Sequence, residues 1–86
     1  MKILDPRNSN IIIYVNGELC KRDQARISVF DSVVQGGDAV WEGLRVYKGR
    51  IAVFREHIQR LLNSAHALLF SEVPSEDYIR NAVLIL

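Results

Sequence analysis

The Asn16-Gly17 dipeptide constrains the fold of this chain more than any other local feature. It separates a β-branched run at residues 11–15 from residues 18–22, a second stretch of similar length. Asparagine and glycine both tolerate the positive φ angles of a type I′ turn, whose twist matches that of two antiparallel strands. The dipeptide therefore predicts a hairpin that pairs residues 11–15 with residues 18 to about 22.

A second hairpin follows from the alternation of side chains over residues 38–47. This segment is predicted as a strand, and Lys48-Gly49-Arg50 reverses it into an arm at residues 51–54. Apolar side chains then recur at helical spacing, which predicts a helix. These side chains belong to Ile58, Leu61, Leu62, Ala65, Leu68 and Leu69.

Pro74 and Ser75 predict the start of another helix, because serine is a favourable N-cap and proline is tolerated just outside the first turn. Glu76 and Asp77 suit the positive end of its dipole. A front part rich in strands followed by two helices is an α+β arrangement. The chain closes on Leu86 without a capping glycine or a polar tail, so we expect it to be a fragment of a longer protein.

Composition excludes several classes of function. The chain has 86 residues, enough for one small domain, and its 11 basic and 10 acidic side chains are evenly spread. Nucleic acid and anionic membranes are therefore not expected as partners. The single Cys20 and the two histidines provide neither an intramolecular disulfide nor a zinc cluster. Residues 1–10 form a lead-in without an apolar segment, so we expect a soluble, cytoplasmic protein.

Four blocks of the sequence occur in an order that is more specific than any single motif. They are Tyr14-Val15-Asn16-Gly17-Glu18, Ser28-Val29-Phe30-Asp31, Gly37-Asp38-Ala39-Val40-Trp41-Glu42-Gly43-Leu44-Arg45-Val46-Tyr47 and Glu56-His57-Ile58-Gln59-Arg60-Leu61. In this order they resemble class IV aminotransferases of the branched-chain and D-amino-acid type. The resemblance covers roughly residues 11–86 and implies the small N-terminal domain of a fold type IV enzyme, with the large domain absent.

The resemblance implies an enzyme that uses pyridoxal 5′-phosphate to transfer an amino group between an amino acid, branched-chain-like, and a 2-oxo acid. Such enzymes usually work as homodimers. The lysine that binds the cofactor's aldehyde lies in the family's large domain, beyond residue 86, and Lys2, Lys21 and Lys48 do not match it. We therefore expect this chain alone to be inactive. A 4-amino-4-deoxychorismate lyase-like enzyme and a non-catalytic interaction or dimerisation module of the same fold are the alternatives.

Arg60 is the residue that the resemblance assigns to the cofactor phosphate. A guanidinium suits this role because it stays charged and presents several donors in a fixed fork. Helical periodicity alone favours an ordinary solvated arginine, since Arg60 falls about 160° from the apolar stripe at 100° per residue. The motif outweighs the periodicity, because a polar face turned to a cleft and one turned to water have the same pattern.

The resemblance places Trp41, Gly43 and Arg45 in the substrate pocket, and period two puts all three on one face of the predicted strand. Their alternative role is a packing face with Trp41 in the core and the Arg45 stem reaching to solvent. Gly36 stands where relatives commonly have an aromatic residue, and Trp41 where phenylalanine or tyrosine is usual. The pocket is thereby reshaped, so the resemblance does not determine the substrate.

The remaining polar residues carry less weight. His57 and His66 lie nine positions apart on one predicted helix, and structural or solvent roles are expected for both. Asp38 and Glu42 are predicted to give hydrogen-bonding support rather than to act as a catalytic pair. No metal site is expected.

Overall fold

The first hairpin forms where the sequence predicts it. In the computed structural model, which describes residues 5–86, β1 (Ile12–Val15) pairs antiparallel with β2 (Glu18–Lys21), so that Ile13 lies opposite Cys20. Asn16 and Gly17 have φ angles of 51° and 87°, both in the left-handed region that a type I′ turn requires. The predicted hairpin is confirmed, with strands slightly shorter than the runs that define them.

The segments on either side of this hairpin are short 3₁₀ turns. Pro6–Asn8 is capped by the Asp5 carboxylate, which accepts a hydrogen bond from the Arg7 amide, and Arg22–Gln24 follows β2. The first four positions of the predicted lead-in lie outside the described residues. Within the described residues, no helix is both long enough and apolar enough to span a bilayer.

A short helix that the sequence analysis did not predict, α1 (Ser32–Gly36), follows the first hairpin. The Asp31 carboxylate caps it by accepting a hydrogen bond from the Val33 amide at 2.9 Å. Gly37, at φ 72°, ends it in the left-handed conformation that commonly closes helices. Glycine at position 37 therefore allows the chain to leave α1 without a steric penalty.

The strand predicted over residues 38–47 is wrong for residues 38–45. Only β3 (Val46–Tyr47) pairs, with β4 (Arg50–Ile51), and the predicted arm at residues 51–54 is likewise shorter. A strand needs a neighbour for its backbone groups, and the chain leaves β4 after a few residues to enter a helix. The period-two pattern survives in the burial of residues 40–45, where even positions are half-buried and odd positions exposed.

The two predicted helices are present as α2 (Phe54–Ala67) and α3 (Glu76–Leu84), and they pack against each other. Ile58 and Ala65 on α2 form the core and are the only hydrophobic residues of the described part of the chain that are buried. Leu68 and Leu69, predicted to continue the stripe, are exposed because α2 ends at Ala67 and Leu69 adopts a φ of 61°. The α+β class is confirmed.

Two side-chain contacts position α3, one at its N-terminus and one to the first hairpin. The Ser75 hydroxyl accepts a hydrogen bond from the Tyr78 amide at 3.1 Å, as its N-cap position predicts. The Tyr78 hydroxyl lies 3.3 Å from that of Tyr14, which joins α3 to the first hairpin. This contact raises the pKa of the Tyr14 hydroxyl.

We predict that Ser75→Ala lowers the free energy of unfolding by about 1 kcal/mol, because it leaves a first-turn amide of α3 without its acceptor. Urea denaturation followed by circular dichroism measures the change. Ser75→Asp is the matched control, since aspartate restores the acceptor and should retain most of the stability. Equal loss in both variants would show that the hydroxyl's hydrogen bond is not the cause.

Candidate functional site

Glu42 reaches α2 because it lies on the inner side of the extended segment at residues 40–45. Val40 and Leu44 share this side, and they line an apolar cavity of about 280 Å³ between the segment and the helices. Glu42 carries a carboxylate into an otherwise apolar setting, and its side chain is only 17% exposed. A carboxylate in such a place requires polar partners.

His57 and Arg60 provide these partners from α2, where their spacing of three residues puts them on one face. The His57 Nδ1 atom lies 2.6 Å from Glu42 Oε1, and Arg60 donates to the same oxygen from Nη2 at 2.8 Å and from Nε at 3.2 Å. We call Glu42, His57 and Arg60 the Glu42 cluster. It joins the segment before β3 to the polar side of α2.

The contacts of His57 indicate that its Nδ1 atom carries a proton. Arg60 Nη2 also lies 3.0 Å from His57 Nδ1, but an arginine has only donors. A proton on Nδ1 lets His57 donate to the Glu42 carboxylate, whereas an unprotonated Nδ1 would face that carboxylate with two acceptors in contact. His57 therefore donates from Nδ1, and Arg60 binds Glu42 alone.

Both partners favour the ionised form of Glu42. The hydrogen bond from His57, followed by those from Arg60, lowers the pKa of the Glu42 carboxyl below its ordinary value, and desolvation opposes them without reversing the shift. Glu42 therefore stays charged at neutral pH and orients the Arg60 guanidinium. It does not have the raised pKa that a general acid needs.

Arg60 still has hydrogen-bond donors directed away from Glu42. Its side chain is 65% exposed, and among the described residues its Nη1 atom has no protein partner. It lines a shallow surface depression with Arg55, Glu56, Gln59 and Asn63, where the Gln59 amide already donates to Glu76 at 2.9 Å. The free edge of the Arg60 fork is the part of this depression that fits a phosphate, whereas the Glu56 carboxylate opposes an anion there.

Trp41, Gly43 and Arg45 lie on the other side of the extended segment and are all exposed, Trp41 by 82%. The Trp41 ring rests against the glycine: a methyl group added at Gly43 would lie 3.5 Å from Trp41 Cζ3. The alternative that placed Trp41 in the core of this domain does not apply. Their role in a substrate pocket stays a prediction.

Glu42 gives the hydrogen-bonding support that the sequence predicts for it, and His57 has a structural role as its partner. Their signal was present: Glu42 alternates with two apolar residues of the inner face, and His57 precedes Arg60 by one helical turn. Asp38, by contrast, does not join the cluster, and His66 is exposed near the end of α2. Within residues 5–86, no group of three His, Cys, Asp or Glu side chains is arranged to hold a metal.

Comparison with known proteins finds relatives that are named aminotransferases. The chain is 50% identical over 78 residues to branched-chain-amino-acid aminotransferase-like protein 1 of Arabidopsis thaliana, a match that covers 91% of this chain. It is 45% identical over 72 residues, 84% of its length, to a putative branched-chain-amino-acid aminotransferase of Methanocaldococcus jannaschii. A D-alanine aminotransferase of Listeria monocytogenes is 40% identical over 53 residues, 62% of this chain. No family model matches the chain.

These relatives confirm the resemblance drawn from the sequence blocks. The chain spans only a small part of each relative, 14% of the Arabidopsis protein, 25% of the Methanocaldococcus protein and 18% of the Listeria protein. The similarity therefore concerns a small region that these aminotransferases share.

We predict that His57→Gln and Arg60→Gln each raise the pKa of the Glu42 carboxyl toward its ordinary value, because each removes a hydrogen bond to its ionised form. Titration of the carboxyl carbon by NMR measures the shift. An unchanged pKa in both variants would contradict the cluster as described.

The same shift makes stability depend on pH. The folded-state pKa of Glu42 is lower than its unfolded value, so its contribution is full above the ordinary glutamate pKa of about 4.3. It is lost as the pH falls from there through the folded-state value. We expect the urea midpoint of the Glu42→Gln variant to depend less on pH in this window than that of the unmodified chain. Identical pH profiles of the two midpoints would contradict this.

Proposed function

We propose that this chain is the small-domain part of a pyridoxal-phosphate aminotransferase that transfers an amino group between an amino acid and a 2-oxo acid. Residues 11–86 form that domain, and residues 1–10 precede it. The observation that carries the proposal is the position of Arg60, which matches the family's phosphate-binding arginine. Its guanidinium is held by Glu42 and has further N–H donors without a protein partner among the described residues. The aminotransferase relatives support it.

In this proposal Arg60 holds the cofactor phosphate through Nη1 and the second hydrogen of Nη2. Glu42, which also accepts a hydrogen bond from His57, already holds the guanidinium, so Arg60 loses less side-chain freedom when the phosphate binds. The bound cofactor supplies an electron sink for the loss of the amino acid's α-proton. The base that moves this proton is expected in the large domain, because neither Lys21 in β2 nor Lys48 in the β3–β4 turn matches it.

Trp41, Gly43 and Arg45 form one wall of the substrate pocket in this proposal. The indole of Trp41 offers an apolar surface, and the bare backbone of Gly43 allows close approach. Arg45 supplies a positive charge for a substrate carboxylate or a partner subunit. We further propose a cytoplasmic enzyme that works as a homodimer.

The role of Arg60 is tested in the longer gene product that includes the large domain. We expect Arg60→Ala to weaken pyridoxal-phosphate binding by about 10- to 100-fold, the effect of losing hydrogen bonds to a charged group. Equilibrium dialysis with absorbance detection measures the affinity, and thermal unfolding of the cofactor-free protein measures stability. Stability should change less than affinity.

Arg80→Ala is the matched control, since Arg80 is an exposed arginine of α3 that does not line the Arg60 depression. Its affinity for the cofactor should stay close to that of the unmodified protein. Equal binding by the Arg60→Ala variant would return Arg60 to the role of a solvated arginine. An amino-group transfer assay with several amino acids then identifies the substrate, and pyruvate release from 4-amino-4-deoxychorismate would reveal the lyase instead.

For the 86-residue chain alone, we predict no transaminase activity and no covalent capture of pyridoxal phosphate at one specific lysine. Borohydride trapping followed by peptide mass spectrometry measures the capture. A single lysine modified stoichiometrically would contradict the proposal that the reactive lysine lies elsewhere, whereas low scattered labelling is expected of exposed lysines.

A further inference from the structure

The Nε2 atom of His57 is the nitrogen of the Glu42 cluster that is free to gain or lose a proton. The other ring nitrogen, Nδ1, donates its proton to Glu42 Oε1 at 2.6 Å. Nε2 has no hydrogen-bond partner among the described residues, and the His57 side chain is 15% exposed. The imidazole is therefore neutral when Nε2 is bare and positive when Nε2 binds a proton.

Two opposite charges act on His57 from within the cluster. The Glu42 carboxylate, 2.6 Å from Nδ1, favours a positive imidazole, and the Arg60 guanidinium, with Nη2 3.0 Å from the same atom, opposes it. With His57 neutral, the formal charges of Glu42 and Arg60 cancel. A further charge placed beside Arg60 therefore acts on a balanced site.

The other groups near His57 do not disturb this balance. Apart from Glu42, the side chains that share its cavity are apolar, and they come from the segment before β3, from α2 and from α3. They include Val40, Leu44, Phe54, Ile58, Ile79 and Val83. On α2, Arg55 and Glu56 line the Arg60 depression with charges of opposite sign.

A phosphate at Arg60 adds more negative charge than the cluster can neutralise. A phosphate monoester carries about two negative charges above pH 7, because its second pKa is about 6. Arg60 has a single positive charge, which it already shares with Glu42. A proton on Nε2 removes one of the excess negative charges, and only the Arg60 guanidinium separates the phosphate from the imidazole.

We propose that His57 binds a proton when Arg60 binds the cofactor phosphate, so that cofactor binding and the charge of His57 are coupled. This inference rests on the proposed function and adds the group that balances the phosphate charge. The proton comes from solvent, bonds to Nε2 and returns to solvent when the cofactor leaves. Nδ1 keeps its hydrogen bond to Glu42 in both states, so the orientation of Arg60 is preserved.

The coupling makes cofactor affinity depend on pH. Because coupling between two ligands is reciprocal, a cofactor whose binding takes up a proton binds more tightly as the pH falls. Complete uptake of one proton changes Kd by about tenfold per pH unit. The dependence ends at the pH where His57 carries the proton in the free protein as well.

Isothermal titration calorimetry of the longer gene product with pyridoxamine 5′-phosphate tests the coupling. This probe has the phosphate of the cofactor but no aldehyde that reacts with a lysine. Titrations in buffers of different ionisation enthalpy give the number of protons taken up. Titrations between about pH 7 and 8.5, where the phosphate stays a dianion, give the dependence of Kd on pH.

His57→Asn is the variant, since its amide keeps an N–H donor close to the position of Nδ1 and has no second nitrogen to protonate. His66→Asn is the matched control. His66 is the other histidine of the chain, and it is exposed and nine positions further along α2. The helical rise puts it about 13 Å away, beyond the Debye length of about 8 Å.

We expect the unmodified protein and His66→Asn to take up at least about half a proton more per bound probe than His57→Asn. The affinity of His57→Asn should also depend less on pH. Equal uptake in all three proteins, with binding weakened by Arg60→Ala, would overturn the coupling and leave the phosphate site intact. Unchanged binding by Arg60→Ala would overturn both.

A second measurement needs no substitution at position 57. In protein labelled with ¹⁵N at histidine, the Nε2 signal of His57 should move toward the position of a protonated imidazole nitrogen when the probe is added at about pH 7.5. The signals of His66 should stay in place. A His57 spectrum that saturating probe leaves unchanged would refute the proposal even if His57→Asn does not fold.

Discussion

The hydrogen bonds of the Glu42 carboxylate are the interactions on which the position of residues 40–45 against α2 depends. It joins the extended segment before β3 to α2, through hydrogen bonds with His57 and Arg60. The described residues bury only two hydrophobic side chains, Ile58 and Ala65, so a half-buried ion pair has a larger share in positioning the segment than it would have in a well-filled domain. The same carboxylate orients Arg60. One group therefore sets both the position of the segment and the direction of the Arg60 donors.

The two sides of residues 40–45 face different surroundings. The inner side carries Glu42 between apolar residues that close over the helices, and the outer side presents Trp41, Gly43 and Arg45. A proposed phosphate site at Arg60 and a proposed substrate wall at Trp41 thus lie on elements that one hydrogen-bonded cluster holds together. A change at Glu42 should therefore affect both, whereas a change at Trp41 should affect the substrate wall alone.

Residues 39–44 form an extended segment whose backbone groups are unpaired within the described part of the chain. Residues 38–45 have the alternation of a strand, but nothing in the described part of the chain pairs with them, and their backbone groups remain available. The relatives, of which this chain spans a small part, would provide further polypeptide that could cover such surfaces.

The sequence by itself determined the features that depend on neighbouring residues: the Asn16-Gly17 hairpin, the Ser75 cap, the stripe of α2 and the alternation at residues 40–45. The order of the sequence blocks also predicted site roles for Arg60, Trp41, Gly43 and Arg45, and these stay predictions. Only the tertiary structure decided that residues 38–45 lack a partner, that α2 stops before Leu69, and that Glu42 and His57 meet at Arg60. These outcomes depend on which groups that are far apart in sequence come within hydrogen-bond distance in the fold. Local periodicity carries no information about such contacts.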